Sequence, residues 1–499
     1  MDRIPDEIMC KIFLFVTQPS LSFTKPGYYN EPSPLAKLSK LMMVSKGWQL
    51  VINQTPYLWT HLSSSDPLLI TTKAISLSRT APLHIKCVAR MMYPDRLTSL
   101  FVDAVGSHVH RWRTAVFKNV FKALPSNESQ QQQAPLLESL VVIKDFACSA
   151  RNPFGGGQLP RLKYLYCQQV DWPWSVSGLS SLTIDNRRRQ NITELDLAHI
   201  LTNNPLLTAL RIVQRYPPPE KPYPGTFPIL HRPHLKSLKL DLSGSLSDFV
   251  LRHVRAPECS KFGYSIHDGW EASLQYLICF FRSTLSSASA RPNLRPRLSI
   301  IPEHRSFALE MKCDGEDSIE HPTFYVHLRQ IDSARLLTWT VDHLLPSTNV
   351  DLAVTLCLPN GFPLKTRSQL QEFLRKLPPA TDLDISNGYK PDFLFDLLSV
   401  DLKGSESDAG DSFLLPGLEE ITLFALDCDW DGFLRMLEER SRTVGRISSP
   451  APLKLRLIQL ELDEDVKQRI VDLVGQENVT EEEGSDTEDD PGSDAFLEY

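Results

Sequence analysis

The chain of 499 residues lacks most of what would mark it as secreted, membrane-spanning or catalytic. No apolar run approaches the roughly 18 residues that a membrane helix needs. The opening MDRIPDEIM is acidic and lacks the basic-then-apolar order of a secretory leader, so an intracellular location, cytoplasmic or nuclear, is expected. The nine cysteines are odd in number, run from Cys10 to Cys428, and contain no Cys-x-x-Cys pair, which argues against a disulfide framework, a zinc site or a redox motif. Gly-x-Ser-x-Gly, a phosphate loop, Gly-x-Gly-x-x-Gly and His-Glu-x-x-His are all missing. Gly155-Gly156-Gly157 has no Lys-Ser/Thr after it and reads as a turn. His108 and His110 could share a strand face, but no Cys or acidic ligand accompanies them. No catalytic residue, cofactor or metal is therefore expected.

One-signed charge is also scarce outside a single segment. Nine of the 60 acids lie in Glu481–Tyr499, which has no Lys or Arg; the other 51 face 53 bases. The net charge of −7 thus belongs to the tail, and the near-neutral remainder gives no basis for a nucleic-acid or membrane partner. Arg187-Arg188-Arg189 has no interleaved aromatics and reads as a solvated loop.

What is present begins at the N-terminus. Pro5 suits a first helical turn, Asp6 and Glu7 suit its positive end, and Ile8, Ile12, Phe15 and Val16 return at helical spacing, which predicts a helix over 5–16. Ser33 and Pro34 can start a second helix with an apolar stripe of Leu35, Leu38, Leu41 and Met42. Trp48, Val51 and Ile52 mark a third, stopped at Thr55-Pro56 and followed by the apolar hook Tyr57, Leu58, Trp59 and Leu62. Three helices of this size carry more apolar surface than they can bury among themselves.

Ile4-Pro5-Asp6-Glu7-Ile8, Ile12-Phe13, Leu35 to Val44-Ser45, Trp48 and Pro56-Tyr57-Leu58-Trp59 together resemble an F-box. The resemblance covers about the first sixty residues and implies docking on the Skp-type adaptor of a cullin-RING (SCF-type) ubiquitin ligase, with the rest of the chain selecting a protein substrate. On that basis Pro5, Ile8, Ile12, Leu38 and Leu41 are expected at the adaptor, and Phe13, Val44, Trp48, Leu58 and Trp59 in the module core. The segment Thr17–Ser33 is a polar, proline-bearing insertion where that family has a tight connection. An ordinary helical cap on the following domain is the alternative reading.

Behind the module a Leu-x-x-Leu-x-apolar motif recurs, starting at Leu137, Leu162, Leu179, Leu207, Leu235 and Leu418, with weaker echoes at Ile192–Leu197, Leu336–Val341 and Ala380–Ile385. The first five starts are 25, 17, 28 and 28 residues apart. Each copy ends in strand-like alternation and cannot close a core alone, so stacking is implied. Ala134-Pro135, Leu159-Pro160, Arg232-Pro233 and Leu415-Pro416 precede several copies. Helix-like stretches lie at Glu194–Leu201, Asp248–Val254, Arg367–Leu377, Phe393–Leu398 and Asp431–Arg440. The body resembles a divergent leucine-rich-repeat solenoid; a pair of ordinary α/β domains is the alternative.

Between module and body, Ala74–Arg79 and Leu97–Gly106 read as helices, and Pro82–Ala89 and Arg111–Val116 as strands. With Ser78, Arg79, Pro82, Leu83 and then His110-Arg111-Trp112-Arg113, this zone looks like a layout common among fungal F-box proteins. Ser126–Ala134, the six-proline Tyr216–Pro228 and Lys403–Ser412 read as loops or linkers.

The expected fold is therefore α+β or α/β: a helical module over 1–65, a connecting region over 66–130, a repeat body over 131–475 and a disordered acidic tail over 476–499. Thr480, Ser485 and Thr487, each followed by acidic residues, resemble sites for an acid-directed kinase. The function expected is substrate recognition for a ubiquitin ligase, with a repeat scaffold unconnected to ubiquitination as the alternative.

Overall fold

The computed structural model describes residues 4–17, 33–89, 96–120, 134–143, 159–168, 176–186, 192–214, 227–242, 244–266, 274–289, 295–302, 306–314, 323–329, 333–345, 353–358, 363–364, 366–377, 381–385, 392–399, 415, 418–424, 430–444, 453–460 and 462–482. Most of the Thr17–Ser33 insertion, Gly155–Gly157, Arg187–Arg189, Lys403–Ser412, Ser485 and Thr487 lie outside these. The chain is mixed α/β, with mostly parallel strands, and divides into two compact units, one running up to His234 and the other from Leu235 to Glu488.

The first unit opens with three helices, α1 (Asp6–Thr17), α2 (Pro34–Met42) and α3 (Lys46–Gln54), and a 3-10 turn over Pro56–Trp59. Local chemistry accounts for each boundary. Ser33 Oγ accepts from the Ala36 amide and Ser45 Oγ from the Trp48 amide, both at 3.1 Å, which satisfies helix-start donors that would otherwise be orphaned. Thr55, held extended by the proline after it, ends α3. Met9, Phe13, Leu35, Leu38, Val51, Ile52, Leu58 and Trp59 form the module core. Trp59 Nε1 donates to the Ile52 carbonyl at 2.9 Å, and Phe13 meets Trp48 edge-to-face at 5.0 Å.

A parallel ladder follows in strict chain order: β1 (His61–Ser63), β2 (Leu83–Val88), β3 (Trp112–Lys118), β4 (Ser139–Ile143), β5 (Tyr164–Gln168), β6 (Ser181–Asp185) and β7 (Ala209–Gln214). Helices α4 (Leu68–Leu77), α5 (Arg96–Gly106) and α6 (Glu194–Asn203) lie in its connections. The region expected to be a connector over 66–130 thus supplies β2 and β3 to the same ladder as the repeat strands. Along β2 and β5 buried residues alternate with partly exposed ones, for instance Leu83, Ile85 and Cys87 against His84, Lys86 and Val88, whereas on β4 the run Leu140 to Val142 is buried throughout. On β2 and β5 one face is packed and the other less covered, unlike strands buried on both faces.

The repeat motif has a turn at its head. The amides of Leu137, Leu162, Leu207 and Cys259 donate to the carbonyls of Ala134, Leu159, Asn204 and Ala256 at 3.1–3.3 Å, and in all four the residue after the acceptor is proline. Proline's fixed φ suits the second position of such a turn. Each turn drops a leucine or cysteine into the core just before its strand, Leu137, Leu207 and Cys259 being wholly buried. Asn204-Pro205 leads into the copy that starts at Leu207, and Ala256-Pro257 leads into β11.

Three buried arginines tie distant segments together through carbonyls. Arg111 donates from Nε and Nη2 to the Ala81 carbonyl at 3.1 and 2.9 Å and from Nη2 to Ser78 Oγ at 2.7 Å. Arg232 reaches the Leu201 carbonyl at 2.7 Å, and in the second unit Arg440 reaches that of Leu415 at 2.9 Å. The Ser-Arg-x-x-Pro-Leu segment is thus held by the arginine of His-Arg-Trp-Arg.

Across β1 and β2, His61 and His84 stack at 4.4 Å with their rings nearly parallel. Burial, then the neighbouring His84, lowers the His61 pKa to about 4; burial and Arg113 lower that of His84, with Glu138 opposing. A histidine with a depressed folded pKa contributes stability that is present above its unfolded value of 6.5 and lost as pH falls toward 4. The unfolding free energy from urea titration is therefore expected to drop between about pH 6.5 and pH 4, by at most about 1.4 kcal/mol per pH unit for this group, and to drop less steeply in His61→Gln. Equal slopes in both proteins would remove His61 from the account.

The second unit begins with β9 (Ser237–Leu242), following the two-residue strand β8 (Leu230–His231) of the first unit. It continues through α7 (Gly244–His253), β10 (Val254–Arg255), β11 (Lys261–Ile266), α8 (Leu274–Ser289), β12 (Arg295–Pro302), β13 (Ser306–Asp314), β14 (Thr323–Arg329), α9 (Ser333–Trp339) and β15 (Ala353–Leu358). It closes with α10 (Arg367–Lys376), β16 (Asp382–Ile385), α11 (Asp392–Ser399), β17 (Glu420–Phe424), α12 (Trp430–Val444), β18 (Lys454–Ile458), α13 (Glu464–Val474) and β19 (Val479–Glu482). Its strand order is β9, β11, β14, β13, β12, then β15 to β19. Among the described strands of this ladder only β13 runs antiparallel to its neighbours, so the meander β12–β14 interrupts the consecutive stacking that a simple repeat would give. Beyond it, α10 to α13 pack each on the next.

Two of the weak repeat echoes are helical. Ile192–Leu197 enters α6, where Thr193 and Asp196 form a capping box, and Leu336–Val341 runs through α9 into a π-helical turn over Thr340–Leu344. Their leucines share the repeat's spacing but fall on a helical face. The third echo contains β16. The first residues of the tail expected to be disordered from 476 are ordered: Gln476–Asn478 is a 3-10 turn and Val479–Glu482 is β19, and 483–499 lie outside the described residues. The strand is held by backbone pairing to β18, by Arg456 on Glu482 at 2.9 Å and by Lys467 on Glu481 at 2.7 Å, which charge composition alone does not disclose.

Candidate docking surface on the N-terminal helices

Helix α1 is apolar on two sides, and only one is used internally. Met9, Phe13 and Thr17 face α2, α3 and the turn after α3 and are buried. On the opposite side Ile8, Ile12 and Phe15 are 45%, 43% and 79% exposed, and Ile4 and Val16 extend the same face. A helix that is hydrophobic nearly all round is normally enclosed. In the same module Met43, Val44, Leu50 and Tyr57 are also well exposed.

The structure sorts the expected docking residues. Pro5, Ile8 and Ile12 lie on the exposed side of the module, and Leu41 is half-buried. Leu38 is wholly buried, so it belongs to the core and not to an adaptor contact: it sits on the inner side of α2 with Leu35. Of the expected core, Phe13, Leu58 and Trp59 are buried and Trp48 is half-buried against Phe13. Val44 is corrected outward, because it follows the end of α2 in a turn and is 61% exposed. Ile4, Phe15, Val16, Met43 and Leu50 are further exposed apolar residues of the module; for Phe15 and Val16 the signal was α1's own sequence, whose apolar residues outnumber those one buried stripe can use.

The first ladder is joined to the module through Ser33, whose hydroxyl donates to Asp66 while capping α2. Burial raises the Asp66 carboxyl, and hydrogen bonds from Ser33 and the Ser63 amide oppose the shift. Burial pushes the Cys167 and Cys259 thiols up to about 12, the reverse of what a nucleophile needs. His108 and His110 lie with ring centres 6.2 Å apart. Among the described residues no helix is long and apolar enough to cross a membrane. No protein-family model matches the chain, and a search of curated proteins finds no match either.

Proposed function

We propose that the chain is the substrate-recognition subunit of a cullin-RING ubiquitin ligase, with α1–α3 docking on a Skp-type adaptor and the repeat-bearing remainder, read as an irregular leucine-rich-repeat-like body, binding a protein target. The observation that carries the reading is the exposed apolar face of α1, Ile4, Ile8, Ile12 and Phe15, set on a module whose other apolar side is already packed. A cap would turn that face toward the chain behind it. The wet face of the parallel ladder, with Lys86, Tyr164 and Arg211 among its side chains, supports the second half of the reading, since a one-sided sheet presents many outward side chains to a large partner. The chemistry of ubiquitin transfer resides in the other subunits, so this chain needs no catalytic residue.

The test is assembly. Purified full-length chain mixed with a recombinant Skp-type adaptor and a cullin is expected to elute with both as one complex. Elution apart from the adaptor at concentrations of tens of micromolar would favour the scaffold reading.

A further inference from the structure

The end of the second ladder carries an exposed threonine. Thr480 is exposed on β19 and stands in direct register with Arg456 of β18. Cross-strand partners in a parallel ladder share a face, and so do residues two apart on one strand. Arg456 confirms the sharing: its Nε and Nη2 bond both carboxylate oxygens of Glu482, two residues beyond Thr480, at 2.9 Å. Lys454, two residues before Arg456, is exposed on the same face. Glu481 points the other way, to Lys467 of α13. The residues after the hydroxyl, Glu481-Glu482-Glu483, are all acidic.

We infer that Thr480 is a phosphorylation site for an acid-directed serine/threonine kinase and that Arg456 is the residue that receives the phosphate. In the transfer, Thr480 Oγ bonds to the γ-phosphorus of ATP, the bond to the bridging oxygen breaks, ADP leaves and the hydroxyl proton goes to the kinase's base. The product places a charge of about −2 beside a guanidinium that now serves Glu482. The phosphate carries about twice the charge of the carboxylate and offers the same bidentate bonding, so it takes Arg456 over and holds β19 on β18.

Full-length protein treated with such a kinase and ATP is expected to carry phosphate at Thr480 by mass spectrometry, and Thr480→Ala to lack that one modification while keeping any at Ser485 and Thr487. In phosphorus NMR the pH midpoint of the Thr480 phosphate should lie roughly half a unit or more lower in the wild type than in Arg456→Gln. Glu482→Gln, which removes a like charge and spares the arginine, should lower it further. Modification of Ser485 or Thr487 with none at Thr480 overturns the site. A midpoint in Arg456→Gln equal to the wild-type value overturns the role of Arg456, whatever Glu482→Gln does.

Discussion

Replacing Ile8 and Phe15 together with aspartate is expected to weaken binding of a Skp-type adaptor by at least about 100-fold, read by titration calorimetry, while leaving the protein as stable as before to within about 0.5 kcal/mol. Both side chains stand in water, 45% and 79% exposed, so the folded chain loses little when they change. At an interface each large apolar side chain is worth about 1.5–3 kcal/mol on burial, and a carboxylate in its place adds a desolvation cost. Unchanged affinity in a folded double variant would detach α1 from docking altogether.

Phe13→Ala is expected to act through the opposite mechanism. Phe13 is wholly buried, packs edge-to-face on Trp48 at 5.0 Å, and stands at the junction of α1, α2 and α3. Truncating such a ring costs about 3–5 kcal/mol, part as lost transfer energy and part as the cavity left behind. The cost should fall on the module: amide exchange over 34–54 should accelerate strongly while that of β4 to β7 stays near its wild-type rate. Phe13→Leu, which keeps most of the volume, should cost about 1.5 kcal/mol or less. Exchange spread evenly over the first unit would show instead that module and ladder unfold as one.

The contrast between these two positions shows what the sequence could and could not disclose. The helix positions, the Ser33 cap and the Thr55-Pro56 stop in the module were legible because they are local and act within a turn of themselves; the Ser45 cap was not read. The six strong repeat copies all became strands for a similar reason, since alternation and a preceding leucine are short-range signals. Which side of a helix finds a partner is not local. Leu38 was expected at a partner and Val44 in the core, yet Leu38 falls on the inner side of α2 and Val44 just past its end, where the chain turns and the stripe stops. The meander β12–β14 was missed because antiparallel return strands give the same alternation as parallel ones and no repeat start precedes them. The strand β19 was hidden under a composition that suggests solvation, and only its pairing with Arg456 and Lys467 offsets that charge. In the candidate surface, Ile8 and Ile12 were readable from spacing. The exposure of Phe15 and Met43 depends on where α2 and α3 lie.

The most direct test places a photoreactive p-benzoylphenylalanine at position 15 in place of Phe15, with the same residue at Leu195, exposed on α6, as the control. Irradiation with the adaptor present is expected to cross-link the adaptor from position 15 and not from position 195. Cross-linking from neither position, or equally from both, would contradict the claim that the uncovered side of α1 is completed by that partner.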